Sequence, residues 1–298
     1  MNAGPVTVEE IQHPQVDSRI RIFRAGEEVD TFVVSTSRFV VFIDTMSTPA
    51  LMQQVIENVR PDIDGRLVLV VNTHADWDHV YGNSLFAPDG ERPALIVGSA
   101  LTRERLRSPA ALERLRKQQA EESRFADVRL VPPDLVFTDA LSLDGGDLTL
   151  KLLATPGHTP DHCSVWIPEI GTLLAGDAAE FPFPSVRAGA TLAQVRSSLQ
   201  YLKTLQPKVV LPCHGGTIGP DLLDQNLAYF NRLRKLVNTE VSLEHWSALT
   251  ESALPPPLRY TAVLEVLGTS PERVPAFYRG FHLDAVRATA EEMENCTS

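Results

Sequence analysis

A chain of 298 residues, 43% hydrophobic and 22% charged, can bury a full core, and its length suits one large domain or two small ones. Its net charge of −11 argues against a general nucleic-acid binder, because phosphate backbones are held by basic surfaces. Three cysteines, Cys163, Cys213 and Cys296, are too few and too scattered for a disulfide framework or a CxxC zinc site, so free thiols are expected.

The opening MNAGPVTVEEIQHPQVD has no basic n-region and no apolar h-region. No apolar stretch approaches the roughly 18 residues that span a bilayer, so a cytoplasmic protein without membrane association is expected. Three short apolar runs follow, RIRIFRA (19–25), DTFVVST (30–36) and RFVVFIDT (38–45), and read as a meander of strands. STPALMQQVIENVRP (47–61) reads as a helix with Ser47 or Thr48 as N-cap and Pro49 in the first turn. RLVLVVNT (66–73) and ALIVGS (94–99) return as strands, and residues 101–124 form a charged helical segment rich in arginine. That segment reads either as a solvated helix face or as a lid that favours anionic substrates.

The second half repeats the theme. LVFTDALSLDGGDLTLKLLATPG (135–157) reads as a strand, a Gly-Gly turn and a long strand, with HCSVWIP and GTLLAGD as two more. A helix at 191–205, a strand at 208–216 and a helix at 221–237 complete the pattern. Two strand-rich halves, each closed by helices, predict two mixed sheets stacked face to face with helices outside, an α/β fold of αββα sandwich type. We expect that domain to span residues 1–240, with a Pro-punctuated helical extension over 241–298.

The chemistry sits at strand ends. THADWDH (73–79) follows the run RLVLVV, and single polar groups leave later runs at His158 in TPGHTPDH, Asp177 in LLAGDAA and His214 in VVLPCHGG. Of eight histidines, four, His74, His79, His158 and His214, occupy such positions. Strand ends at one rim of a sandwich converge, and Gly157, Gly176 and Gly215 permit turns tight enough to aim these side chains into a cleft. Imidazoles and carboxylates gathered there are costly to leave unpaired, and divalent cations would satisfy them together.

These motifs, in this order, resemble the metallo-β-lactamase superfamily, whose first signature is written HxHxDH and is followed by single His, Asp and His ligands. The resemblance covers roughly residues 15–240. It implies the αββα sandwich as well, and a dinuclear site. His74, residue 76 and His158 would hold one metal, Asp78, His79 and His214 the other, and Asp177 would bridge them. Asp44 in FIDT matches a family aspartate that is usually structural. The departure is Asp76, where most relatives carry histidine. Asp76, Asp78 and Asp177 supply three carboxylates against two divalent cations, leaving about +1. Such a site should be less biased towards zinc and more welcoming to iron or manganese, although zinc stays the first expectation.

The implied function is that of a metal-dependent hydrolase in which a hydroxide bridging two divalent ions cleaves a small ester, lactone, thioester or phosphoester. Asp78 would orient that nucleophile or carry its proton, and is the expected catalytic residue. Two alternatives stand beside it: a diiron redox enzyme like the flavodiiron branch, motivated by Asp76, and a non-catalytic metal-binding module. True β-lactamase activity is not expected, because a fold does not confer a function and Asp177 matches the broader hydrolase family. His162, on the strand HCSVW, reads as structural. Trp77 and Tyr81 either line the pocket or pack beneath the loop, Cys213 is expected to point away, and His13, His245 and His282 read as surface or packed residues. A small-molecule substrate is the expected partner, with neither nucleic acid nor membrane. Homo-oligomerisation and the substrate-binding residues are left open.

Overall fold

The fold is given by a computed structural model that describes residues 6–187, 189–240 and 249–297. Strands β1 (Val8–Ile11), β2 (Ile20–Ala25), β3 (Val29–Ser35), β4 (Phe39–Ile43), β5 (Leu67–Val71), β6 (Leu95–Ser99) and β7 (Leu135–Phe137) lie in that order in a seven-stranded sheet. Tight connections make β1 to β4 antiparallel, and longer crossovers make β4 to β7 parallel. A second sheet takes β8 (Ala140–Asp144), β9 (Thr149–Ala154), β10 (Cys163–Ile167), β11 (Thr172–Gly176) and β12 (Val209–Pro212) in the order β12-β11-β10-β9-β8. Every residue of β4, β10 and β11 is buried, as unbroken apolar runs covered on both faces require. The two sheets are the inner layers of the αββα sandwich expected from the strand patterning.

The helices are α1 (Pro49–Asn58), α2 (Arg60–Ile63), α3 (Trp77–Val80), α4 (Ala100–Arg107), α5 (Pro109–Glu121), α6 (Leu192–Thr204), α7 (Asp221–Glu240), α8 (Tyr260–Val266) and α9 (Tyr278–Thr297). Thr48, not Ser47, caps α1, its hydroxyl accepting the Leu51 N–H at 3.2 Å with Pro49 in the first turn. Thr191 caps α6 through a full capping box with Gln194. None of the described helices is long and apolar enough to cross a membrane.

Three differences from the sequence reading have physical causes. The segment 101–124 is two helices, because Pro109 forces Ser108 out of the helical region (φ −72°, ψ 149°) and Ser108 then caps α5 through Ala111 N–H at 3.2 Å. Leu135–Phe137 pairs with β6 in the first sheet and does not run on into β8. Periodicity marks a strand and is silent about its partner. The edge strand β1, half-exposed, pairs only with β2 and carries too little apolar signal to be read in advance.

Two compact units make up the chain, one of Met1–Ala154 with Asp161–Leu174, the other of Thr155–Pro160 with Ala175–Ser298. The first holds the seven-stranded sheet, β8 to β10 and most of β11. The second holds the 155–160 loop, the end of β11, β12 and α6 to α9, with α9 packed on α6 and α7. Cys163 and Cys213 are buried; the Cys296 side chain and His245 lie outside the described residues.

Candidate metal centre

In the first unit the chain leaves β5 at Val71, turns through Asn72–Ala75 and enters α3 at Trp77, with Asp76 at the N-cap position. His74, Asp76, Asp78 and His79 come together here. The His74 and His79 rings stand 4.1 Å apart, His74 Nε2 lies 4.0 Å from Asp76 Oδ2, and His79 Nε2 lies 3.6 Å from Asp78 Oδ2. Both histidines are fully buried and Asp76 nearly so, whereas Asp78 is partly exposed.

Asp44 organises this loop from the end of β4, where a left-handed backbone (φ 65°) turns its carboxylate inward. Its Oδ1 accepts the Thr73 N–H and its Oδ2 the Thr73 hydroxyl, each at 2.7 Å, while His79 Nδ1 lies 2.8 Å from Oδ2. A carboxylate can only accept, so His79 Nδ1 carries the proton and Nε2 carries the lone pair. The Thr73 hydroxyl, donating to Asp44, accepts from His74 Nδ1 at 3.0 Å and sets the same tautomer there. Behind the loop, Asn72 and Asn83 exchange amide hydrogen bonds at 3.0 and 2.8 Å, and Thr45 takes the His79 carbonyl through its N–H at 2.8 Å.

Asp76 has a partner the sequence did not announce. Arg105, on α4, donates from Nη2 to Asp76 Oδ1 at 2.8 Å and from Nη1 to Asp161 Oδ1. Trp77 and Tyr81 pack beneath the loop, and the cavity they line has none of the candidate ligands among its lining residues. They pack edge-on against Phe125, at 5.7 and 5.9 Å, and the cavity, of about 300 Å³, is shared with Arg105 and Arg114. His162 is buried, its ring 5.1 Å from that of His74.

In the second unit His158, Asp177 and His214 come together. Asp177 Oδ2 lies 3.5 Å from His158 Nε2 and 3.3 Å from His214 Nε2. His158 Nδ1 lies 3.1 Å from both the carbonyl and the hydroxyl of Ser185, and donation to the carbonyl again leaves the lone pair on Nε2. The 155–160 loop is seated on α6, where Ser198 donates to the Pro156 carbonyl at 2.7 Å and a Cβ on Gly157 would stand 2.6 Å from Val195 Cα. Gly215, beside His214, has φ +90°, and a Cβ there would stand 2.5 Å from the Phe181 carbonyl oxygen.

Glu180 joins this second set, its Oε1 3.9 Å from His158 Nδ1. Tyr278, on α9, donates its hydroxyl to Glu180 Oε2 at 2.7 Å, and Asn226 holds the Glu180 backbone from both sides at 3.0 and 2.8 Å. Burial, then the neighbouring Asp177 charge, pushes the Glu180 carboxyl up to about 7. Glu180 stands three residues after Asp177 in GDAAEF, but no periodicity marks it as inward-facing. Arg105 was similarly hidden among the arginines of a helix that reads as charged throughout.

Each set offers at least one imidazole Nε2 lone pair of fixed tautomer beside carboxylate oxygens, a donor chemistry that fits divalent zinc, manganese or iron. An αββα sandwich with buried His and Asp at its strand ends defines a protein with candidate metal-binding groups. The metallo-beta-lactamase superfamily model matches residues 25–214, and the chain belongs to that superfamily. A beta-lactamase-like protein 2 homolog of Caenorhabditis elegans is 25% identical over 195 residues, 63% of this chain and 56% of that protein. A metallo-beta-lactamase fold-containing protein of Sulfurisphaera tokodaii is 33% identical over 89 residues, 28% of this chain and 33% of its own. The chain thus spans about half or less of the length of these relatives. Among solved structures, the metallo-beta-lactamase from Pontibacter korlensis superposes with a TM-score of 0.56 at 21% identity, covering 74% of this chain and 97% of that one. FIM-1 from Pseudomonas aeruginosa in its mono-zinc form also gives 0.56, at 18% identity over 75% and 94% of the two chains. Membership of the superfamily supports a metal-dependent hydrolase-type function.

Proposed function

We propose that this chain is a dinuclear metal-dependent hydrolase acting on a small ester, lactone, thioester or phosphoester. His74, Asp76 and His158 would hold one divalent ion, Asp78, His79 and His214 the other, with Asp177 common to both. The supporting observation is that all seven side chains lie in the matched family region, and that each imidazole whose Nδ1 partner is known carries its lone pair on Nε2. Bound divalent ions supply a water acidified from 15.7 towards roughly 7 and a Lewis acid for the carbonyl or phosphoryl oxygen. The chain's own part is to hold the donors still. Asp44 and Thr73 fix two rings, Ser185 fixes a third, and Asp78, more exposed than Asp44 and Asp76, would take a proton from the attacking water.

The test is elemental analysis of the purified protein, then activity of apo-protein reloaded with zinc, manganese or iron on ester, lactone, thioester and phosphodiester substrates. Two equivalents of metal with turnover on one substrate class is the expected result. Failure to take up metal, or two irons with oxygen-dependent redox turnover and no hydrolysis, would overturn it.

A further inference from the structure

Asp76 differs from a histidine in two ways that matter to a metal ion: it carries a negative charge, and it has two oxygens where an imidazole presents one nitrogen. Its surroundings answer both differences. Oδ1 accepts from Arg105 Nη2 at 2.8 Å, while Oδ2 is the oxygen near His74 Nε2, at 4.0 Å. Arg105 in turn bridges to the buried Asp161, whose Oδ2 accepts the Ala75 N–H at 2.8 Å and the Thr102 hydroxyl at 3.1 Å. The Asp161 carbonyl takes the Ser99 hydroxyl at 2.9 Å. Ser99, Thr102 and Arg105 are spaced three apart, on one face of the first turns of α4, so this short helix holds Asp76 directly and, through Asp161, the Ala75 N–H before it. A planar guanidinium can hold two carboxylates at once in a fixed fork, which a lysine cannot.

Building on the metal centre proposed above, we infer that Arg105 is a positioning residue that leaves Asp76 one metal-facing oxygen and offsets its charge, so that the Asp76–Arg105 pair takes the part of a neutral one-atom ligand. Arg105 touches no reacting atom in this scheme; it acts through Asp76. A donor of this kind keeps the hardness of an oxygen ligand without the extra negative charge that a bare aspartate would bring.

A double-mutant cycle tests it. Arg105→Met, Asp76→His and the pair are compared with wild type by chelator competition for zinc and by the visible spectrum of the cobalt-loaded protein. Arg105→Met alone is expected to weaken retention of one of the two ions by about 10- to 100-fold and to shift the cobalt spectrum. In the Asp76→His background the same change is expected to cost less than about twofold, because no carboxylate remains to be oriented. Arg105→Lys keeps a charge without the fork, and should weaken retention in the Asp76 background only. It carries the test if Arg105→Met does not fold. Equal losses in both backgrounds, or an unchanged affinity and spectrum, would overturn the inference. A wild-type protein that takes up no metal would instead remove the proposed metal centre itself, and that outcome is read from the first titration alone.

Discussion

At the scale of single residues, the metal loop is governed by the carboxylate of Asp44, which accepts from Thr73 N–H, the Thr73 hydroxyl and His79 at once. An asparagine there has one accepting oxygen and a donating nitrogen, so at least one of these three donors would face another donor. Asp44→Asn is therefore expected to leave the fold intact by circular dichroism and to lower metal affinity by about 10- to 100-fold in chelator competition. An unchanged affinity would mean that packing alone orients the two rings. Arg105 and Asp44 stand on different elements, and each hydrogen-bonds a residue of the proposed ligand set.

At the scale of elements, the most telling packing is that of α9 on α7. His282 is fully buried, donates from Nε2 to the Leu258 carbonyl at 2.6 Å and accepts the Tyr229 hydroxyl on Nδ1 at 3.0 Å, with Phe183 stacked on Tyr229 at 4.1 Å. Burial lowers its pKa below 6.5. The folded state therefore holds it neutral while the unfolded chain takes up a proton first, so its contribution is complete above pH 6.5 and falls as the pH drops below that value. His282→Leu should cost about 1–3 kcal/mol near pH 7.5, by stranding the Tyr229 hydroxyl and the Leu258 carbonyl. Denaturant unfolding at a series of pH values should show that cost shrinking below pH 6.5; a cost that stays constant would mean that His282 is not held neutral by burial.

At the scale of the whole molecule, the C-terminal helices supply part of the core of the second unit. Tyr278 lies edge-on to Phe183 at 5.7 Å and donates to Glu180, which stands beside His158. A chain ending at residue 240 would expose Phe183 and Tyr229, and should be recovered as aggregate in size-exclusion chromatography, whereas Tyr278→Phe should stay folded and lose about 1–3 kcal/mol of stability. A soluble, cooperatively unfolding 1–240 fragment would make the extension an independent appendage.

Much of this was legible in one dimension. Val40, Val41, Val70 and Val71 declare buried strands because a continuous apolar run has nowhere else to go, and HxDxDH with its later His, Asp and His marks side chains whose chemistry suits a metal. Pairing was not legible: Leu135–Phe137 reads as a strand, but its place beside β6 depends on residues some forty positions away. Nor were the groups that act on the ligands. Arg105, Asp161, Glu180 and Tyr278 come from separate stretches of chain, and local sequence carries no sign of which charged side chain turns inward. The sequence by itself determined which residues can bind a metal, since that is a property of their chemistry and order. Only the tertiary structure decided that Asp76 shares its charge with Arg105 and that α9 reaches Glu180, since both depend on distances that folding alone creates.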